Sequence, residues 1–266
     1  MTRQVQPDST ASLHVLRLGA AMGMAGFGAI TLQYSSALFS WLWLGHGWSE
    51  SAAQGLERAG ACLVIAAIPF LFWRRAWLAP AMASIWLAFS TWAAAETASW
   101  QAWLVPFAGA TRVLAPAAVA VWAFTGPDKR LQGLLRVATA FTFAAHGVEA
   151  LLGRGLFVDY AIGVLARVGI AATQSGAESM LRVIGVVDCA SAAALLLPRR
   201  WRWLALWMAA WGFFTAALRM LHGGWAAWPE SVVRLPNAAL PFCLYLIWKP
   251  PCSKEPSSAL CPTPQP

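Results

Sequence analysis

The segment at positions 199–221 reads RRWRWLALWMAAWGFFTAALRML, a basic cluster followed by a long apolar run. Within the run, from 203 to 221, the only charged residue is Arg219. A helix needs about 20 predominantly apolar residues to cross the hydrocarbon core of a bilayer. Cations just before such a run are typical of the cytoplasmic end of a span. The segment therefore predicts a transmembrane helix that begins in a basic cytoplasmic turn.

Seven other segments share this length and apolar character. They lie at 13–33, 56–73, 76–95, 103–124, 134–153, 180–197 and 232–248. The chain of 266 residues is 59% hydrophobic and 11% charged, whereas a soluble domain is nearer a quarter charged. This composition excludes an ordinary soluble enzyme. We therefore expect an all-α fold, a polytopic transmembrane helical bundle of eight spans.

The basic residues predict how these spans are oriented. Cations occupy the links after the second, fourth, sixth and eighth spans, at Arg74-Arg75, Lys129-Arg130, 199–202 and Lys249. This alternation follows the positive-inside rule if both termini lie in the cytoplasm. The net charge of +8 does not indicate a nucleic-acid surface, because the cations sit in short groups between apolar runs. We expect no nucleic-acid partner.

An internal repeat divides the chain into two halves. RRAWLAPAMA at 74–83 matches RRWRWLALWMA at 199–209 with one residue inserted, and basic turns and spans follow the same order in both halves. The segments 35–48 and 156–172 are expected to form short amphipathic helices at the outer surface. The expected domains are an N-terminal cytoplasmic segment (1–12), a first four-helix repeat (13–125), a second four-helix repeat (131–248) and a disordered proline-rich tail (249–266).

Polar side chains within the predicted spans are the candidate site residues. At membrane depth an ionisable group costs at least about 2.5–3.5 kcal/mol on insertion scales, so each one requires a reason. In the second half these residues are His146, Glu149, Asp188, Arg219, Arg234 and Asn237. The positions of the first half that align with His146, Glu149 and Asp188 hold Phe27, Ile30 and Leu63. We therefore predict one polar binding site per chain, in the second repeat.

The residue types leave several chemistries open at this site. His146 and Glu149 are three residues apart and share a helix face, so they can relay protons, bind a metal, contact a polar head group, or only link helices. For Asp188 the favoured interpretation is an ion pair with Arg219 or Arg234 that holds the spans together. The alternative is a polar cavity in which the two arginines attract an anionic group.

Several kinds of active site are not indicated by the sequence. The chain has no Walker motif, GxSxG elbow, glycine-rich dinucleotide turn or HExxH motif, and no link long enough for a nucleotide-binding domain. We predict no metal site. A haem held by His146 and His222 is disfavoured, because His222 lies near the outer end of its predicted span. No catalytic residue can be assigned.

Each half of the chain resembles the DoxX-like family of small four-helix bacterial membrane proteins. The resemblance in the second half runs from Arg136 to about Tyr245. It rests on Arg136, His146-Gly147, Gly185, Asp188, WGFFTA at 211–216, Arg234, Asn237 and Pro241. The first half departs from this pattern, since Phe27-Gly28 replaces the His-Gly pair and Leu63 replaces the acidic residue.

The resemblance implies a four-helix bundle in each repeat and a location in the bacterial inner membrane. Some members of the family are linked to thiosulfate–quinone oxidoreduction or to membrane redox complexes. We therefore expect an accessory protein of a redox- or quinone-linked process, with membrane lipid and a membrane redox protein as partners. The sequence does not identify a cofactor, and a quinone is the candidate. The alternatives are a small-molecule or lipid transporter and a purely structural subunit. A lack of helices broken at paired glycines argues against transport.

Overall fold

The computed structural model describes residues 7–73 and 75–249, and this part of the chain forms helices and no strand. The α-helices are α1 (Pro7–Gln33), α2 (Ala37–Ser40), α3 (Glu50–Ala66), α4 (Leu78–Thr97), α5 (Val105–Ala108), α6 (Ala110–Thr125), α7 (Lys129–Leu151), α8 (Gly155–Arg167), α9 (Gln174–Leu196), α10 (Arg202–Gly223), α11 (Trp228–Val232) and α12 (Pro236–Ile247). A π-helical turn at Trp41–Gly45 continues α2, and 3₁₀ turns lie at Pro69–Phe72, Ala102–Leu104 and Gly224–Ala227. The all-α prediction is confirmed.

Six helical segments within the described ranges are long and apolar enough to cross a membrane. They are Thr10–Gln33, Glu50–Phe72, Leu78–Thr97, Ala102–Thr125, Gln174–Leu196 and Arg202–Val232, and each overlaps a predicted span. The other two predicted spans, 134–153 and 232–248, are largely helical but fall outside this set. Polar residues such as Arg136 and Glu149 lower the hydropathy of α7, and α12 has only 12 residues.

The ends of the chain differ from the predicted domain boundaries. α1 begins at Pro7, so residues 7–12 of the expected N-terminal segment are helical, and 1–6 lie outside the described residues. The expected tail, 249–266, also lies outside the described residues except for Lys249. The two segments predicted to be short amphipathic helices contain α2 with its π-helical turn, and α8.

Four helices, α1, α6, α7 and α12, form the centre of the bundle. α1 packs against α3, α6 and α12, and α7 packs against α9, α6 and α12. Outside this centre, α4 packs on α6 and α10 packs on α12. The main core combines fully buried side chains from the central helices, among them Leu16, Met24, Leu135, Leu240 and Leu244.

Two glycines bring α7 and α9 into backbone contact. A Cβ added to Gly147 would lie 2.9 Å from the carbonyl oxygen of Gly185, and one added to Gly185 would lie 2.6 Å from the carbonyl oxygen of Gly147. Both distances are shorter than normal van der Waals contact. The close approach therefore requires a residue without a side chain at each position.

The outward faces of the helices carry large apolar side chains. Trp203 is 70% exposed, Val183 66% and Ile85 62%. Soluble proteins avoid extended exposed apolar surface, whereas hydrocarbon solvates it. The outer surface of the bundle therefore suits a lipid environment.

Candidate functional site

A cavity of about 460 Å³ lies among α7, α8, α9, α10 and the beginning of α12. Five of the six predicted site residues line it, namely His146, Asp188, Arg219, Arg234 and Asn237. Most of the remaining wall is apolar, with aromatic and aliphatic side chains such as Phe143, Phe157, Val164, Ile184, Phe214 and Leu218. The structure thus brings polar groups from four helices and from the turn before α12 together in one mainly apolar chamber.

Glu149 is the predicted residue that does not line the cavity. Its side chain is 3% exposed, and its Oε2 lies 2.9 Å from Nδ1 of His146. The second oxygen, Oε1, accepts a hydrogen bond from Arg154, which lies between α7 and α8. Glu149 therefore orients His146 and joins α7 to the link before α8. The sequence gives no signal that Arg154, in the link after the fifth predicted span, contacts this pair.

Asp188 lines the cavity without a cationic partner in the described part of the chain. The residue is 7% exposed, and Trp211 also lines the cavity, near enough to interact with the Asp188 carboxylate. The favoured prediction of an ion pair with Arg219 or Arg234 is therefore wrong. Asp188 lies in the second half of α9. Arg219 lies near the end of α10 and Arg234 lies just before α12, so both arginines are close to the link between these two helices. The carboxylate is left facing the chamber.

Arg219 and Arg234 have other neighbours near that link. The guanidinium of Arg219 lies 4.1 Å from the centre of the Tyr160 ring. Nη1 of Arg234 donates to the carbonyl oxygen of Glu230 at 2.6 Å and lies 4.0 Å from its carboxylate. Arg219 and Arg112 are both near enough to Arg234 for their charges to interact with it. This end of the cavity therefore concentrates positive charge.

Asn237 joins the cavity to the first half of the chain. Its Oδ1 accepts a hydrogen bond of 2.5 Å from the hydroxyl of Thr111, on α6. Oγ1 of Thr142, on α7, accepts from the backbone N–H of Thr111 at 3.1 Å. This network ties α6, α7 and α12 together beside the cavity, so the side chain of Asn237 is partly used in packing.

The helix α8 forms one wall of the cavity through Phe157, Tyr160, Ala161, Val164 and Leu165. The hydroxyl of Tyr160 is buried and has no hydrogen-bond partner within the described residues. Burial raises the pKa of the Tyr160 phenol, although the charges of Arg219 and Arg234 oppose this shift. The sequence predicts a surface helix here, and it gives no signal for Tyr160 beyond a phenol in an apolar segment.

The described residues of the first half include a cluster of packed aromatic rings. Aromatic rings pack between the π-helical turn and α4, with ring centres of Trp41 and Trp92 5.0 Å apart and those of Trp86 and Phe89 5.9 Å apart. The Trp86 ring also occupies the space beside Gly60, where a side chain would otherwise project. These rings fill the interior of that region.

The arrangement suits an amphipathic small molecule. Sites for such ligands are mostly apolar concave spaces with a few convergent polar groups, which is the composition of this chamber. The described residues contain no group of three or more His, Cys, Asp or Glu side chains able to hold a metal ion. Comparisons of the chain with protein-family models, curated proteins and solved structures find no match.

Proposed function

We propose that this chain is a DoxX-like protein of the bacterial inner membrane that binds an amphipathic small molecule, foremost a quinone, as an accessory to a membrane redox process. The observation that carries the proposal is the mainly apolar cavity lined by His146, Asp188, Arg219, Arg234 and Asn237. Quinone head groups are flat and accept hydrogen bonds through two carbonyl oxygens. Arginine, protonated histidine and indole side chains supply the matching donors.

The proposal includes eight spans in two tandem four-helix repeats. The packing of the helices supports this layout, because the main contacts between long helices occur in equivalent pairs, both within the halves and between them. α1 with α3 corresponds to α7 with α9, α4 with α6 to α10 with α12, and α1 with α12 to α7 with α6. The short elements α2 and α8 also occupy equivalent places, next to α4 and α10 respectively.

The proposed orientation has both termini in the cytoplasm. Hydrogen bonds join the helix ends next to three of the basic links, since Arg136 donates to the Leu195 carbonyl at 2.8 Å and Arg202 to the Tyr245 carbonyl at 3.4 Å. Positive charge favours the cytoplasmic side. Arg219 and Arg234 lie near the opposite ends of α10 and α12, so the cationic end of the cavity would face the outer leaflet.

The test is mass spectrometry of small molecules extracted from the full chain after purification in a mild neutral detergent. We expect a co-purifying quinone whose amount falls in Asp188→Asn and in Arg219→Gln. The matched controls are Asp159→Asn and Arg182→Gln, both at exposed positions outside the cavity lining. A wild-type extract with bulk lipid alone, or equal quinone retention in all four variants, would overturn the proposal.

Transport is a second candidate, favoured by a specific feature of the last span in each half. α5 and α6 are interrupted at Gly109, and α11 and α12 are interrupted at 233–235. The break at 109 is at a glycine and the break at 233–235 is not, so the expectation that the chain lacks helices broken at paired glycines stands. Interrupted helices at corresponding positions are a known pointer to transporter binding sites. Uptake of an amphiphile into proteoliposomes that is lost in Asp188→Asn and retained in Asp159→Asn would favour transport.

A structural subunit is the remaining alternative. In that case the polar residues would serve only helix packing, as Glu149 and Asn237 partly do. Asp188→Asn and Arg234→Gln would then lower the thermal stability of the protein without changing the composition of the small-molecule extract. A changed extract at unchanged stability would exclude this alternative.

A further inference from the structure

At the cationic end of the cavity, the nearby carboxylates do not neutralise all of the positive charge of the arginines. Arg219 and Arg234 both line the cavity, and Arg112 on α6 adds a third interacting charge. In the described part of the chain, the only carboxylate within 4.0 Å of any of the three is that of Glu230, which is 54% exposed. Like charges that are desolvated together repel one another, so a bound counter-charge would stabilise the cluster.

The hydrogen-bond donors at this end are also largely unused. Arg219 contacts the ring of Tyr160 and has no acceptor within hydrogen-bond distance among the described residues. Arg234 donates to a backbone carbonyl rather than to an anion. The Tyr160 hydroxyl is buried without a partner. A guanidinium carries five N–H donors in a fork that matches carboxylate and phosphate oxygens.

The rest of the chamber would accommodate the apolar body of the same molecule. Leu218 and Val164 line the cavity one helical turn or less from Arg219 and Tyr160, and Phe214 and Ile184 continue the apolar wall. Asp188 is not paired with either arginine, so it does not neutralise this end. A volume of about 460 Å³ suits one small molecule rather than a whole two-chain lipid.

We infer that the ligand of this cavity carries an anionic group, a carboxylate, sulfonate or phosphate, that binds between Arg219 and Arg234 with the Tyr160 hydroxyl as a further donor. Its apolar body lies along α8 and α10. This inference rests on the proposed function in one respect, that the cavity holds an amphipathic small molecule. It differs in the ligand, because the class inferred here is a single-chain anionic amphiphile, whereas a quinone is uncharged.

The test compares oleate with oleyl alcohol, which has the same chain and no charge, by native mass spectrometry of the full chain in neutral detergent. We expect oleate to bind at least about tenfold more tightly than oleyl alcohol, the size of one charge-assisted hydrogen-bonded pair. Arg219→Gln and Arg234→Gln should each remove this preference. Arg182→Gln, at an exposed position on α9, should keep it.

Two further variants separate charge from folding. Arg219→Lys keeps the charge and should retain part of the preference for oleate, whereas Arg219→Gln should not. Tyr160→Phe removes only the unpartnered hydroxyl, so it should weaken oleate binding by a few-fold without lowering the melting temperature. An equal oleate preference in Arg219→Gln, Arg219→Lys and the wild type would overturn the inference.

The outcomes distinguish this inference from the proposed function. If oleate and oleyl alcohol bind equally while quinone still co-purifies, the anionic class is wrong and the proposed function stands. If neither oleate nor a quinone binds, both are wrong. If added phosphatidylglycerol displaces oleate from the wild type, the anionic site stands but the single-chain class is wrong. If phosphatidylglycerol does not displace oleate, the single-chain class is supported as well.

Discussion

On α7, Nδ1 of His146 lies 2.9 Å from Oε2 of Glu149, one helical turn further along. The Glu149 carboxylate is almost completely buried and is shared with Arg154. His146 itself is about one-third exposed and lines the cavity. The two side chains therefore have different roles. The imidazole faces the cavity, and the carboxylate holds both the imidazole and the link before α8 in position.

Replacing Glu149 by Gln should destabilise the protein. The amide cannot compensate the charge of Arg154, and it offers His146 a weaker hydrogen bond. We expect the free energy of unfolding to fall by about 1–3 kcal/mol. The measurement is equilibrium unfolding in mixed micelles. Glu96→Gln, at an exposed position on α4, is the matched control, and equal stability of the two variants would contradict the role of Glu149.

An alanine at position 147 should force α7 and α9 apart. Its Cβ would meet the Gly185 carbonyl oxygen at 2.9 Å and Sγ of Cys189 at 2.7 Å, so the free energy of unfolding should fall by about 1–3 kcal/mol. Gly133→Ala lies on the same helix in open space and should raise stability by up to about 1 kcal/mol. A melting temperature that changes equally in both variants would show that the close contact is absent.

The Arg136 guanidinium caps the C-terminal end of α9. Its Nε and Nη2 donate to the Leu195 carbonyl at 3.0 and 2.8 Å, where the helix has no N–H donors of its own. Arg136→Gln should cost about 1–3 kcal/mol of unfolding free energy. Arg130→Gln, at an exposed position of the same helix, should have little effect. Indistinguishable unfolding curves for the two variants would contradict the capping role of Arg136.

Thr111 connects the two halves beside the cavity. Thr111→Val would remove the hydrogen bond to Oδ1 of Asn237, so we expect a loss of about 1 kcal/mol of stability and increased hydrogen exchange at the start of α12. In Thr91→Val the lost bond is only to Leu87 in the same helix, so the exchange of α12 should not change. Unchanged exchange in both variants would exclude the connection.

The sequence predicted the helical class and most of the spans because apolar length and basic links report directly on membrane crossing. It missed two features that depend on chain geometry. One is the pair of interruptions that separate α5 from α6 at Gly109 and α11 from α12 at 233–235. The other is the beginning of α1 at Pro7, because the polar residues at 7–12 gave no apolar signal.

The sequence predicted which residues belong to the candidate site, but not which of them interact with one another. Five polar residues of the second half do line one cavity, because the helices that carry them surround the same space. The ion pair expected for Asp188 is absent from the described residues, since depth along a helix sets which side chains meet and spacing in the sequence does not reveal it. Tyr160 and Arg154 were missed because they lie on or next to a helix that was assigned to the surface.

The most direct test of the proposed function is photoaffinity labelling of the full chain with an azide-bearing quinone, followed by peptide mass spectrometry. We predict labels that excess unmodified quinone displaces and that map to the cavity walls at 157–168, 180–188 and 211–219. The filled interior of the first half should remain unlabelled. Labels spread evenly over the lipid-facing helices, or concentrated between 13 and 125, would contradict a single ligand cavity in the second half.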